Sequence, residues 1–92
     1  IQGVNLDYAY SLSKQTVEAE PANPTYLDTY GWILYKKGQF VKAEKYIHRA
    51  LQLSENNGEI LFHYSEILKK LDQEKKAKEF YKKALDAGYK DL

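Results

Sequence analysis

Apolar residues recur along the chain at the spacing of helices with one buried face. In "YLDTYGWILYKKG", residues 26–38, Leu27, Tyr30, Gly31 and Leu34 stand at i, i+3, i+4 and i+7. The one tryptophan, Trp32, falls off that stripe, in line with Asp28, Tyr35 and Lys36. The largest apolar side chain is therefore spent on a face that the periodicity does not assign to the main core. Local signals bound the segment. Asn23 suits the N-cap, Pro24 the first helical position, and Gly38 the turn ending a helix near Lys37. Further helices are predicted over about 39–53, 58–71 and 73–87, with "SENNG" (54–58) as a break and Gly88 as a terminator. An earlier helix spans roughly Leu6 to Glu20 and is closed by Pro21.

Sliding the chain by 34 residues lays 24–57 on 58–91 and aligns Leu27/Leu61, Tyr30/Tyr64, Ile33/Ile67, Leu34/Leu68 and Lys36/Lys70. Gln39/Gln73, Lys42/Lys76, Ala43/Ala77, Ala50/Ala84 and Leu51/Leu85 continue the series. The shared apolar positions keep helical spacing, so the chain carries an internal repeat of helix pairs. Small residues recur where two helices must approach closely: Gly31, Ala43 and Ala50 in one unit, Ser65, Ala77 and Ala84 in the next. Helix axes about 8–10 Å apart leave little room there. Ala9 lies 34 residues before Ala43, so the first predicted helix reads as the second helix of a preceding unit. Its own first helix is missing or reduced to "IQGVN". The whole is five helices, about two and a half units.

The 34-residue period, the paired helices, the small-residue positions and a proline at a unit boundary resemble the tetratricopeptide repeat (TPR) family. "YLDTYGWILYKKGQFVKAEKYIHRAL" followed by "EILFHYSEILKKL" is similar to C-terminal units of longer bacterial TPR proteins. The resemblance covers nearly the whole chain. It implies an all-α, right-handed α-solenoid of helix-turn-helix units forming one domain, residues 1–92. Residues 1–23 are then a partial repeat, 24–57 a full repeat and 58–92 another. Departures fall at turns: Pro21 is answered by Glu55, and Gly38 by Asp72, which should loosen those turns.

In the family, first helices line a concave groove. The matching positions here are Thr25, Asp28, Trp32, Tyr35 and Lys36, then Glu59, Phe62, Glu66, Lys69 and Lys70. The resemblance thus implies a non-catalytic scaffold that docks a peptide or helix of a protein partner. Its expected contacts are Asp28, Trp32, Tyr35, Lys36, Phe62, Glu66 and Lys69, with aromatic anchors inside a polar rim. A competing reading packs Trp32 against the first helix of the neighbouring unit on the N-terminal side, the helix missing from this sequence. The family's carboxylate clamp for chaperone tails needs Lys and Asn where this chain has Asp28 and Trp32, which disfavours that ligand.

Composition narrows the alternatives. With 14 Lys and Arg against 13 Asp and Glu, the net charge is +1, without the concentrated basic surface of a nucleic-acid binder. The lysine pairs at 69–70, 75–76 and 82–83 are interrupted by acids, and Glu66–Lys70, Glu74–Lys78 and Glu79–Lys83 have i, i+4 spacing. No nucleic-acid partner is expected. Cysteine is absent, which excludes disulfides, thiolate metal sites and cysteine nucleophiles. His48 and His63 fall in different units, Glu59 and His63 complete no metal-binding motif, and no phosphate loop or nucleophile elbow appears. Catalysis and a cofactor are not expected, and each histidine reads as a surface or rim residue. No apolar run is long enough for membrane insertion.

Beginning at Ile1 without any Met, the chain is expected to be a processed product or a piece of a longer protein, which leaves its compartment unassigned. Self-association is the alternative function. Leu6, Tyr10, Leu12 and Val17 at one end, and Tyr81, Leu85, Tyr89 and Leu92 at the other, expose apolar solenoid ends.

Overall fold

A computed structural model of the chain describes residues 5–90. These residues form five α-helices: α1 Leu6–Ala19, α2 Pro24–Lys36, α3 Phe40–Leu53, α4 Gly58–Lys70 and α5 Glu74–Asp86. No strand occurs among the described residues. Each boundary lies within a residue of its predicted place. Residues 1–4 of the first-helix remnant expected in "IQGVN", and Leu92, fall outside the described residues.

The starts of α1, α2 and α4 are each set by an asparagine. Side-chain oxygens of Asn5, Asn23 and Asn57 accept the backbone N–H of Tyr8, Tyr26 and Ile60, each at 3.1 Å, which satisfies donors a helix start leaves orphaned. Asn57 therefore both ends the "SENNG" break and opens α4. The helix ends are equally repetitive. Gly38 (φ 83°), Asp72 (φ 61°) and Gly88 (φ 100°) take the left-handed turn. Beyond them, the N–H groups of Gln39, Gln73 and Tyr89 bond back to the carbonyls of Leu34, Leu68 and Ala84, each at 2.9 Å. The turn at Asp72 is thus no looser than the one at Gly38. The aspartate holds the same conformation at a cost of roughly 1 kcal/mol that glycine avoids.

Helices α2 and α3 pack as one hairpin and α4 and α5 as the next, with α1 against α2 and α3 against α4. The solenoid is all-α, and its core runs through Leu34, Ile47, Ile67 and Leu68, all fully buried. Gly31 permits the α2–α3 approach: a Cβ there would lie 2.6 Å from Cγ1 of Ile47. Between hairpins, a tyrosine of each first helix reaches the preceding second helix. Tyr30 donates to the hydroxyl of Tyr10 at 3.1 Å, and Tyr64, its repeat equivalent, donates to Glu44 at 2.8 Å. Burial is the larger cause, and these partners the smaller, of phenol pKa values raised well above the ordinary 10 at both Tyr30 and Tyr64.

The spaced Glu–Lys pairs do not form ion pairs among the described residues. Glu66 instead meets Lys69 at 3.4 Å, while Lys70 lies over the Phe40 ring and Lys83 over Phe80. The Lys70 and Lys83 ammonium groups stand 5.9 and 4.6 Å from the ring centroids, where the negative ring face attracts the cation.

Candidate functional site

Trp32 explains the arrangement of the two hairpins. It lies between two rings, Tyr35 at 4.4 Å and 8° on its own helix and His63 of α4 at 3.9 Å and 19°. Tyr35 continues toward Phe40, centroids 5.6 Å apart. The indole leaves the α2–α3 stripe because it joins the first helix of one unit to the first helix of the next. The neighbour it packs against is the following unit, not a preceding one. Burial, with a smaller contribution from Glu66, raises the Tyr35 phenol pKa.

His63 and Asp28 complete this junction. Nδ1 of His63 stands 2.8 Å from Oδ1 of Asp28, and their side chains are only 12% and 11% exposed. Reading Asp28 as a rim charge is corrected here, since its carboxylate is turned into the α2–α4 contact. His63 is likewise an interior junction residue rather than a surface one. Sequence reasoning paired His63 only with Glu59, its neighbour on the same helix. The usable signal was that Asp28 and His63 differ by 35 residues, one repeat plus one. Burying an acceptor and a ring nitrogen together satisfies both groups, where either alone would be costly.

Beside this junction opens a cleft of about 340 Å³. It is lined by Leu6 and Ala9 of α1, by Thr25, Asp28, Thr29, Trp32, Ile33 and Lys36 of α2, and by Glu59 and His63 of α4. Three of the sequence-predicted contacts, Asp28, Trp32 and Lys36, meet here. Glu66 and Lys69 line a second cleft of about 410 Å³ with Ser65, Glu74, Lys78 and Tyr81. Phe62 is covered by Tyr89, stacked at 4.3 Å and 10°, and Tyr35 is inside the ring stack. The seven predicted residues are therefore divided between two clefts and two packed contacts. Tyr89 also closes part of the chain end expected to be bare, while Tyr8 and Leu12 on α1 remain 65% and 46% exposed.

Larger clefts, about 720 and 600 Å³, lie between successive second helices. Their linings are related by the repeat: Val17, Leu27 and Tyr46 in one, Leu51, Leu61 and Phe80 in the other. They are the furrows that stacking helix pairs produces at each step. No group of three or more His, Cys, Asp or Glu side chains able to hold a metal occurs among the described residues. No helix among them is long and apolar enough to cross a membrane.

Comparison with known proteins agrees with this geometry. The Tetratricopeptide repeat family matches twice, over residues 24–57 and 58–87. No curated protein matches the chain in sequence. Among solved structures, MamA of MSR-1 is 26% identical, covering 89% of this chain and 47% of that one with a TM-score of 0.78. MamA of AMB-1 is 28% identical, covering 92% and 48% with a TM-score of 0.79. A MamA point mutant, at 24% identity and a TM-score of 0.82 over 94% and 63%, supports the fold alone. The chain spans about half the length of the first two of these structures. TPR folds generally serve as non-catalytic scaffolds for protein interaction, and the repeats here make this chain a protein-interaction repeat module. The chain belongs to the tetratricopeptide repeat family.

Proposed function

We propose that the first-helix cleft at Trp32 docks a segment of a protein partner, without bond chemistry. The observation that carries this is the grouping of Trp32, the apolar Leu6, Ala9 and Ile33, and the polar Thr25, Thr29, Lys36 and Glu59 around one cleft. Such a cleft offers one desolvated centre and a polar rim, the usual anatomy of a docking site. Because both faces of Trp32 are stacked, a partner meets the indole edge, and Thr29 and Lys36 set the selection. In this reading α1 is the second helix of an incomplete unit within residues 1–23, followed by repeats at 24–57 and 58–92.

The test is selection of binders from a displayed library of random 16-residue peptides, followed by titration against Thr29→Arg. Thr29 is exposed, so arginine there fills the cleft without touching the core. At least a tenfold loss of affinity is expected, with Val41→Arg, remote on α3, unchanged. Binders indifferent to Thr29→Arg would overturn the assignment.

A second reading is assembly through the α1 end, favoured by the exposure of Tyr8 and Leu12 there. Light scattering across a dilution series decides it. A mass that stays at one chain rules it out.

A further inference from the structure

We infer that the furrow between α1 and α3, the second helices of successive units, docks an acidic segment of a protein partner, which seats an apolar side chain on the furrow floor and carboxylates on Lys45 and Arg49. This site is separate from the cleft at Trp32. Val17, Leu27 and Tyr46 give the furrow, about 600 Å³, an apolar centre. Tyr46 stands edge-on to Tyr30 there, centroids 4.8 Å apart. The charged lining is Lys45 and Arg49 against Glu18. Lys42, Lys45 and Arg49 stand at i, i+3 and i+7, so α3 presents them in one row, about 10 Å from first to last. Lys14 of α1 and Lys42 both act on the Tyr10 phenol, which puts them at the same seam. All four cations are exposed, and none forms an ion pair among the described residues. The Lys45 ammonium lies 5.7 Å from the centroid of the Tyr46 ring, so a carboxylate meeting it borders the apolar centre.

The opening belongs to the stacking step, not to an end of the chain. The repeat-related furrow between α3 and α5, about 720 Å³, stays open with α1, α2 and α4 all in place. A first helix before α1 would stand to this furrow as α2 stands to that one, so a longer array leaves it open too. The two furrows differ in charge. Val17, Leu27 and Tyr46 become Leu51, Leu61 and Phe80, which keeps the apolar centre. Pro21, Lys45 and Gln52 become Glu55, Glu79 and Asp86. The second furrow is thus lined by Glu55 and Asp86 against Lys83. An acidic segment is attracted to the first and repelled by the second, so it docks at one step of the solenoid.

A protein segment suits this furrow better than a nucleic acid or a bilayer. Phosphate backbones call for many uncompensated cations along one path, and here Glu18 lies among the cations. A phosphate backbone or a flat headgroup layer brings no apolar side chain to the recessed centre, whereas a peptide does.

The test is selection of displayed random 16-residue peptides on the full chain, with depletion on Lys45→Glu/Arg49→Glu, whose fold is verified by circular dichroism. Peptides surviving depletion are expected to carry two or more Asp or Glu beside an aromatic or aliphatic residue. Their affinity should fall at least tenfold in Lys45→Glu/Arg49→Glu, less in the milder Lys45→Gln/Arg49→Gln, and weaken as salt rises. Thr29→Arg should leave it unchanged. No peptide after depletion, peptides without an acidic excess, or acidic peptides that tolerate both double variants would overturn the inference. Loss in Thr29→Arg instead would assign the peptides to the Trp32 cleft and remove the furrow while the docking reading stands. Tighter binding of oligothymidylate or phosphatidylglycerol vesicles than of any selected peptide, lost in the same variant, would overturn the protein assignment.

Discussion

Replacing His63 by leucine is expected to destabilise the protein by about 3 kcal/mol, the low end of the range for removing one partner of a buried polar pair. The side chains of His63 and Asp28 are 12% and 11% exposed, and their 2.8 Å contact is the main polar tie between α2 and α4. Leucine retains the bulk against Trp32 but leaves the mostly buried Asp28 carboxylate without its side-chain partner. The residual exposure admits some water, which is why the low end applies. Loss of the 3.9 Å ring stack contributes about 0.5–1 kcal/mol of the total. For a chain of this size 1 kcal/mol moves Tm by roughly 4–8 °C, so a fall of more than about 10 °C follows. The double variant Asp28→Leu/His63→Leu removes both polar groups together and is expected to recover most of the loss, to within about 1 kcal/mol of the parent. Urea unfolding followed by far-UV circular dichroism measures all three proteins and avoids dependence on Trp32. If His63→Leu costs less than about 0.5 kcal/mol, the carboxylate is solvated and the junction argument fails. If the double variant is worse than the single one, the pair contributes net stability and the desolvation argument fails instead.

Other expectations follow from single contacts. Gly31→Ala should destabilise by about 1–2 kcal/mol in thermal melts, since overpacking against Ile47 at 2.6 Å outweighs the roughly 1 kcal/mol gain in helix propensity. Asp72→Gly should stabilise by about 0.5 kcal/mol by relieving φ 61°, and an unchanged urea midpoint would contradict this. Tyr64 and Tyr30 have pKa values raised above the ordinary 10 because burial, then the Glu44 carboxylate and the Tyr10 hydroxyl respectively, disfavour the phenolates. The folded state therefore holds these protons more tightly than the unfolded chain, so their contribution is complete below pH 10 and is lost as pH rises beyond it. Alkaline titration of ellipticity should show that loss, and Tyr64→Phe should flatten it.

Helix number, bounds and pairing were legible in the sequence because they depend on local rules: the stripe from Leu27 to Leu34, caps such as Asn23, and turns such as Gly38. The repeat itself extended that reading, since Gly31, Ala43 and Ala50 mark crossings that recur at Ser65, Ala77 and Ala84. The fate of exposed-face residues was not legible, because it depends on which side chains of another unit arrive opposite them. Trp32, Asp28 and His63 each had a reasonable surface reading when considered on its own helix. Only the stacking of α4 beside α2 brought the ring, the carboxylate and the imidazole together, where mutual burial satisfies all three. The same holds for Phe62, whose cover by Tyr89 comes from the chain turning back at Gly88. Periodicity states which face of a helix is buried within its own hairpin. The curvature from one hairpin to the next decides what the remaining face touches, and that is set by tertiary packing.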